Sequence, residues 1–190
     1  MAMPSATETL HFSPEAYLEW EKGNETKHEY FNGEVLALAG AKDAHVTVSG
    51  NLLALLHGHL RGGPCRIYMA DMKVSVERAN AFFYPDILVT CDERDRETGY
   101  LKRFPSLVIE VLSESTAAFD RGNKFSTYRK LDTLREYLLI DPDSLNVDCF
   151  RLDETSGHWV LYPFAAGDAV ELASIGFSTP IESLYENVQL

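Results

Sequence analysis

Two carboxylates stand where apolar side chains are expected. Asp86 opens "DILVTCD", just after Pro85, and Glu110 sits inside "SLVIEVLS"; both runs read as buried strands. An isolated ionised carboxylate is costly to remove from water, so each must be paired, protonated or bound to a metal. If the strands are neighbours, the two acids meet at one sheet position. Two close carboxylates do not both stay ionised without a cation, and a hard divalent metal with oxygen ligands is the natural answer. Lys124, in "DRGNKFSTYRKL", is the positive group offered, with Arg121 one turn earlier and Tyr128 one turn later on the same helix face.

Plainer readings stand beside these. Asp86 can cap a turn after Pro85, Lys124 can form an ordinary salt bridge, and Asp120 is most economically a helix N-cap. Glu110 is harder to dismiss, because Leu107, Val108, Ile109, Val111 and Leu112 surround it. Other chemistries lack their patterns. "HGHL" has neither the carboxylate nor the spacing of a zinc-binding helix, Gly62-Gly63-Pro64 is followed by no phosphate-loop lysine, and no Gly-x-Ser-x-Gly elbow is present.

The elements that must position these residues follow from local signals. Ser13 and Pro14 are N-cap and first residue of a short helix. Asn32-Gly33 between two β-prone runs predicts a hairpin with a type I′ turn, and Glu34 follows that turn directly. Helical spacing of Leu52, Leu53, Leu56 and Leu60 predicts a helix over 43–60, capped by Asp43 and carrying His45 in its first turn. One or two strands are expected over 65–77, then strands beginning after Pro85 and around Glu110. A helix capped by Asp120 follows, with Phe125, Tyr128 and Leu131 on one face. "REYLLIDP" returns as a strand, "NVDCFRLD" and "HWVLYPF" add antiparallel partners, and "TPIESLYENV" ends in a short turn or helix. This order describes an α/β or α+β chain built around a mixed sheet, expected as one domain over residues 1–190.

Composition narrows the class. No segment approaches the roughly 18 apolar residues of a membrane helix, and the N-terminal stretch lacks a basic and apolar leader pattern, so the cytoplasm is the expected compartment. Cys65, Cys91 and Cys149 are scattered without metal or disulfide spacing and read as small buried hydrophobes. The net charge of −12 opposes nucleic-acid binding. Its distribution is uneven: 13 of the 17 Lys and Arg lie between Arg61 and Arg135 against 11 of the 29 Asp and Glu, which permits a basic face in that segment.

The series "YPD", "VIEVLS", "DRGNK", "YRKL" and "EYLLID", preceded by "HEYFNGEV" and by the histidine of "DAHVTVSGNL", resembles the Uma2 (DUF820) family of the PD-(D/E)xK nuclease superfamily over nearly the whole chain. The resemblance implies a restriction-endonuclease-like core, a mixed central β-sheet flanked by helices, preceded here by a helix and a β-hairpin. It implies Mg²⁺-dependent hydrolysis of phosphodiester bonds, with Mn²⁺ able to substitute. Asp86 and Glu110 match the motif acids and, with the Val111 carbonyl, would hold the metal. Where the motif has lysine two residues after the second acid, this chain has Leu112; Lys124 matches relatives whose lysine lies on the following helix. Glu34 matches the acid that precedes the core motif, and His45, Asp71, Arg121 and Tyr128 are supporting candidates. The partner implied is nucleic acid, DNA before RNA, bound by a homodimer, with no membrane association. Two rival readings are a nuclease fold kept as a non-catalytic interaction module and a hydrolase of smaller phosphoesters.

Overall fold

The computed structural model describes residues 11–38 and 40–190; residues 1–10, where no leader pattern is read, lie outside it, as does Ala39. Helix α1 (Pro14–Glu21) starts as expected, with the Ser13 hydroxyl accepting from Ala16 N at 3.2 Å. Strands β1 (His28–Phe31) and β2 (Glu34–Ala37) form the predicted hairpin, its turn made by Asn32 at φ 51° and Gly33 at φ 99°. Positive φ at both central residues defines the type I′ turn, whose twist matches that of the strands. Helix α2 (Asp43–Leu60) begins after Lys42, so Asp43 is its first residue and not its cap.

The stretch read as one or two strands is two, β3 (Arg66–Met69) and β4 (Lys73–Val76), and they belong to different sheets. Next come β5 (Ala81–Phe83), β6 (Ile87–Thr90), β7 (Leu101–Lys102) and β8 (Leu107–Val111). The helical segment that follows differs from expectation. It starts at α3 (Ala117–Phe119), winds through a π-helical turn at Asp120–Lys124 and closes with α4 (Phe125–Tyr128). Asp120 is therefore not the N-cap; Thr116 holds that position. Strands β9 (Glu136–Asp141), β10 (Asn146–Asp153), β11 (His158–Ala165), β12 (Ala169–Leu172) and β13 (Phe177–Pro180) complete the described chain with a 3₁₀ turn at Ile181–Tyr185.

The main sheet is mixed and six-stranded, in the order β11-β10-β9-β8-β6-β3, with β8 and β9 parallel and the other pairs antiparallel. A second sheet of five strands, β2-β1-β5-β4-β7, packs by its β4 and β5 residues with the α4 segment. Side chains alternate across a strand, and the two cores record it. Val48, Leu52 and Leu56 of α2 pack with Ile87, Val89, Leu107 and Ile109. Leu88 and Val108, between those positions, pack with Val74, Phe83, Tyr128 and Tyr137. By the same alternation Asp86 and Glu110 share the second face, and Ile87 opposite Ile109 sets these two acids opposite each other.

Another buried carboxylate fastens the C-terminal β12–β13 hairpin to this sheet. Glu136, fully buried at the start of β9, accepts from Arg151 Nε (2.7 Å), Ala173 N (3.0 Å), Ser174 N (2.8 Å), the Ser174 hydroxyl and the Cys149 thiol. The cysteine reading needs correction: Cys65 and Cys91 form a disulfide, and only Cys149 is a buried free thiol. Their sequence separation of 26 hid the pair; antiparallel β3 and β6, with Arg66 opposite Thr90, make the two cysteines cross-strand neighbours. No helix among the described residues is long and apolar enough to cross a membrane.

Candidate active site

Asp86 and Glu110 face one cavity of about 450 Å³, whose walls also include His45, Tyr84, Val111 and Lys124. The apolar strands that carry the acids supply a rigid floor, and the sheet register brings them together. Asp86 Oδ2 accepts the Val111 backbone N–H at 2.7 Å and lies 3.4 Å from His45 Nε2. Glu110 is 3 % exposed; its Oε1 accepts from Lys124 Nζ at 3.1 Å and from the Tyr128 hydroxyl at 3.2 Å. Neither Asp86 Oδ1 nor Glu110 Oε2 has a hydrogen-bond partner among the described residues.

Lys124 stands in a cage of acids. Its amine is 2.9 Å from Glu29 Oε1, 3.1 Å from Glu110 Oε1 and 3.3 Å from Asp120 Oδ1, and all four side chains are nearly closed to solvent. Burial works against the charge on this amine, but Glu110, Glu29 and Asp120 outweigh it and raise its pKa above the ordinary lysine range. Burial pushes Glu110 well above the usual carboxylate range; Lys124 opposes that shift, while Asp120, Asp86 and Glu29 add to it. Glu29 is raised for the same leading reason, although Lys124 and the Tyr84 N–H at 3.0 Å both favour its ionised form. The Tyr128 hydroxyl is held neutral by burial and by Glu110.

Four carboxylates, Glu29, Asp86, Glu110 and Asp120, thus gather around one ammonium and one imidazole. Such a cluster must take up protons or a cation, because like charges close together in a low dielectric cannot all remain ionised. Among the described residues no three His, Cys, Asp or Glu side chains are grouped to hold a metal alone. Mg²⁺ does not need such a cage: it keeps several waters and binds through one or two carboxylates together with substrate phosphate. Two unpartnered carboxylate oxygens and the neighbouring Val111 carbonyl fit that habit.

The other expected residues fall differently. Glu34 is exposed on β2 and does not line the cavity; the acid of this hairpin that reaches Lys124 is Glu29, one strand earlier. Its signal was present, since Glu29 in "HEYF" is flanked by aromatic residues, but the four-residue run is too short to declare its buried face. Asp71 is exposed and pairs with Lys27 at the cavity wall. Arg121 does not share the face of Lys124 and Tyr128, for the wider π-helical turn breaks the 3.6-residue spacing assumed for it. Its guanidinium instead meets Asp148 at 2.5 Å. Asp120, read as a cap, belongs to the cage through its i, i+4 relation to Lys124.

Comparison with known proteins agrees with the fold. Residues 14–182 match the Uma2 family model, described as "Putative restriction endonuclease". Two relatives come from Synechocystis sp. (strain ATCC 27184 / PCC 6803 / Kazusa). "Uncharacterized protein slr1290" is 39 % identical over 176 residues, covering 93 % of this chain and 92 % of the relative. "Uncharacterized protein sll1609" is 35 % identical over 138 residues, covering 71 % and 77 %. A crystal structure from Anabaena variabilis ATCC 29413, described as "a putative nuclease belonging to DUF820", superposes with a TM-score of 0.75 at 16 % identity, over 92 % of this chain and 98 % of that one. The superposition shows the shared restriction-endonuclease-like fold, and the family match with its two well-covered relatives makes this chain a member of the Uma2 family.

Proposed function

We propose that the chain is a Mg²⁺-dependent endonuclease that hydrolyses phosphodiester bonds of DNA, with Mn²⁺ able to replace Mg²⁺. The observation that carries this reading is that Asp86, just before β6, and Glu110 of β8 line one cavity, with the Lys124 amine on Glu110. Family membership points the same way, since the family is described as "Putative restriction endonuclease". Asp86, Glu110 and the Val111 carbonyl would hold the ion, which supplies Lewis-acid polarisation of a phosphoryl oxygen and charge neutralisation. Glu29 and Asp120 keep the Lys124 amine charged and fixed, so that it offers a preorganised positive charge to the negative charge that develops on the phosphoryl group. Tyr128 holds Glu110 by donating to the same oxygen as Lys124. A homodimer would present two such sites to the two strands of a duplex.

One observation favours a second reading, a non-catalytic interaction module. Five cations of the central segment are buried or already paired. Lys73 and Lys102 are buried, while Arg78, Arg103 and Arg121 are paired with Asp132, Glu77 and Asp148. A cleavage assay separates the two readings, using supercoiled plasmid and single-stranded DNA with Mg²⁺ or Mn²⁺ at low salt, where phosphate contacts are least screened. The parent should cut, and Asp86→Ala, Glu110→Ala and Lys124→Ala should each lose about a hundredfold or more, as expected for loss of an electrostatic stabiliser. If the parent is as silent as the variants and Mn²⁺ does not raise its melting temperature, the interaction module replaces the nuclease.

A further inference from the structure

Asp86 is held from two elements, and only one of them is its own sheet. The Val111 N–H reaches Oδ2 from β8, and His45 Nε2 reaches the same oxygen from the first turn of α2. Burial disfavours the His45 cation, while Asp86 and the Val111 backbone favour it and together raise its pKa. The Val111 hydrogen bond and the His45 contact at 3.4 Å both fall on Oδ2, and Oδ1 is left without a protein partner among the described residues.

A purely architectural tie between α2 and the sheet would not require this side chain. The helix is already anchored by Val48, Leu52 and Leu56, all fully buried against the sheet. His45 instead lines the cavity, and its Nδ1 is closed to solvent with no hydrogen-bond partner among the described residues. An unsatisfied buried ring nitrogen is unfavourable, and an apolar residue at the same helical position would avoid it.

We infer that His45 is a positioning residue for metal binding: it orients the Asp86 carboxylate so that Oδ1 is free to take the cation. The inference rests on the nuclease reading above and deepens it. Outer partners that orient metal-ligating carboxylates change metal affinity by about ten- to hundredfold when removed. Imidazole is replaced here by two side chains with opposite expectations: alanine removes the donor, whereas glutamine places an amide N–H near the position of Nε2.

The test is Mn²⁺ titration calorimetry at one fixed pH on the parent, His45→Ala and His45→Gln proteins, with their metal-free melting temperatures measured alongside. The expected result is at least about tenfold weaker Mn²⁺ binding by His45→Ala, recovery in His45→Gln, and metal-free melting temperatures that do not follow the same order. A His45→Ala protein that binds Mn²⁺ as the parent does, or a His45→Gln protein as weak as His45→Ala, overturns the inference while leaving the metal site standing. A parent that binds no Mn²⁺ overturns both, and is distinguished by the parent titration itself.

Discussion

Two buried glutamates on adjacent strands, Glu110 of β8 and Glu136 of β9, show how differently a fold can treat the same side chain. Glu136 is saturated. An arginine, two backbone N–H groups, a hydroxyl and a thiol supply its hydrogen bonds, and no second carboxylate shares its setting among the ion pairs of the described residues. Glu110 is crowded and under-supplied: one oxygen takes two donors, the other takes none among the described residues, and Asp86, Glu29 and Asp120 all raise its pKa. Hydrogen-bond saturation marks an architectural acid. Shortage combined with like-charge crowding is what the proposed metal site asks of Glu110, where a cation would complete the set.

Exchanging the two acids in turn tests the distinction most severely. Glu136→Ala strands Arg151 and the donors of the β12–β13 connection, so a loss of about 3–5 kcal/mol is expected, as for a buried pair that loses one member. Chemical denaturation measures it. Glu110→Gln should do the reverse, retaining or gaining stability at neutral pH in the absence of metal while abolishing Mn²⁺-dependent cleavage. Equal destabilisation by both substitutions would dissolve the contrast.

A smaller effect is expected in the pH dependence of stability. The folded chain retains protons on Glu110 and Glu29 above the ordinary glutamate value of 4.5, at which the unfolded chain releases them. Their contribution is therefore complete below about pH 4.5 and is lost as pH rises through the raised folded-state values. In a chelating buffer, the parent should lose melting temperature across that interval relative to a Glu29→Gln/Glu110→Gln double variant, and added Mn²⁺ should offset the loss. Parallel curves for the two proteins would show that neither acid is unusual. The smallest effect belongs to Glu34→Ala. An exposed position outside the cavity should change stability by no more than about 0.5 kcal/mol and leave plasmid cleavage unaltered, whereas Glu29→Gln should impair it.

The contrast also explains what could be read before the structure. Asp86 and Glu110 were legible because each lies in an apolar run that declares its own burial, and because neighbouring strands can bring such runs together. Glu136 passed unnoticed, since its partners come from Arg151 and from Ala173–Ser174, which nothing local to "REYLLID" announces. The five-stranded sheet was illegible for a related reason: β5 and β7 have three and two residues, too few to show a period. Lys124 could be named, but its cage could not. Glu29 reaches it from β1, and Asp120 reaches it only once the helix is known to begin at Ala117.

The π-helical turn at Asp120–Lys124 gives the amine an adjustable mounting. A lysine two residues beyond Glu110 on β8 would have its direction fixed by the pleat. A lysine on a locally widened helix has its direction fixed by winding, and winding can be changed by a single residue. Removal of Arg121, Gly122 or Asn123, returning the turn to regular α-helical winding, would bring Asp120 and Lys124 to an i, i+3 spacing in place of their present i, i+4. The mounting therefore tolerates substitution better than it tolerates a change in length, and chain length between Thr116 and Tyr128 becomes a structural constraint in its own right.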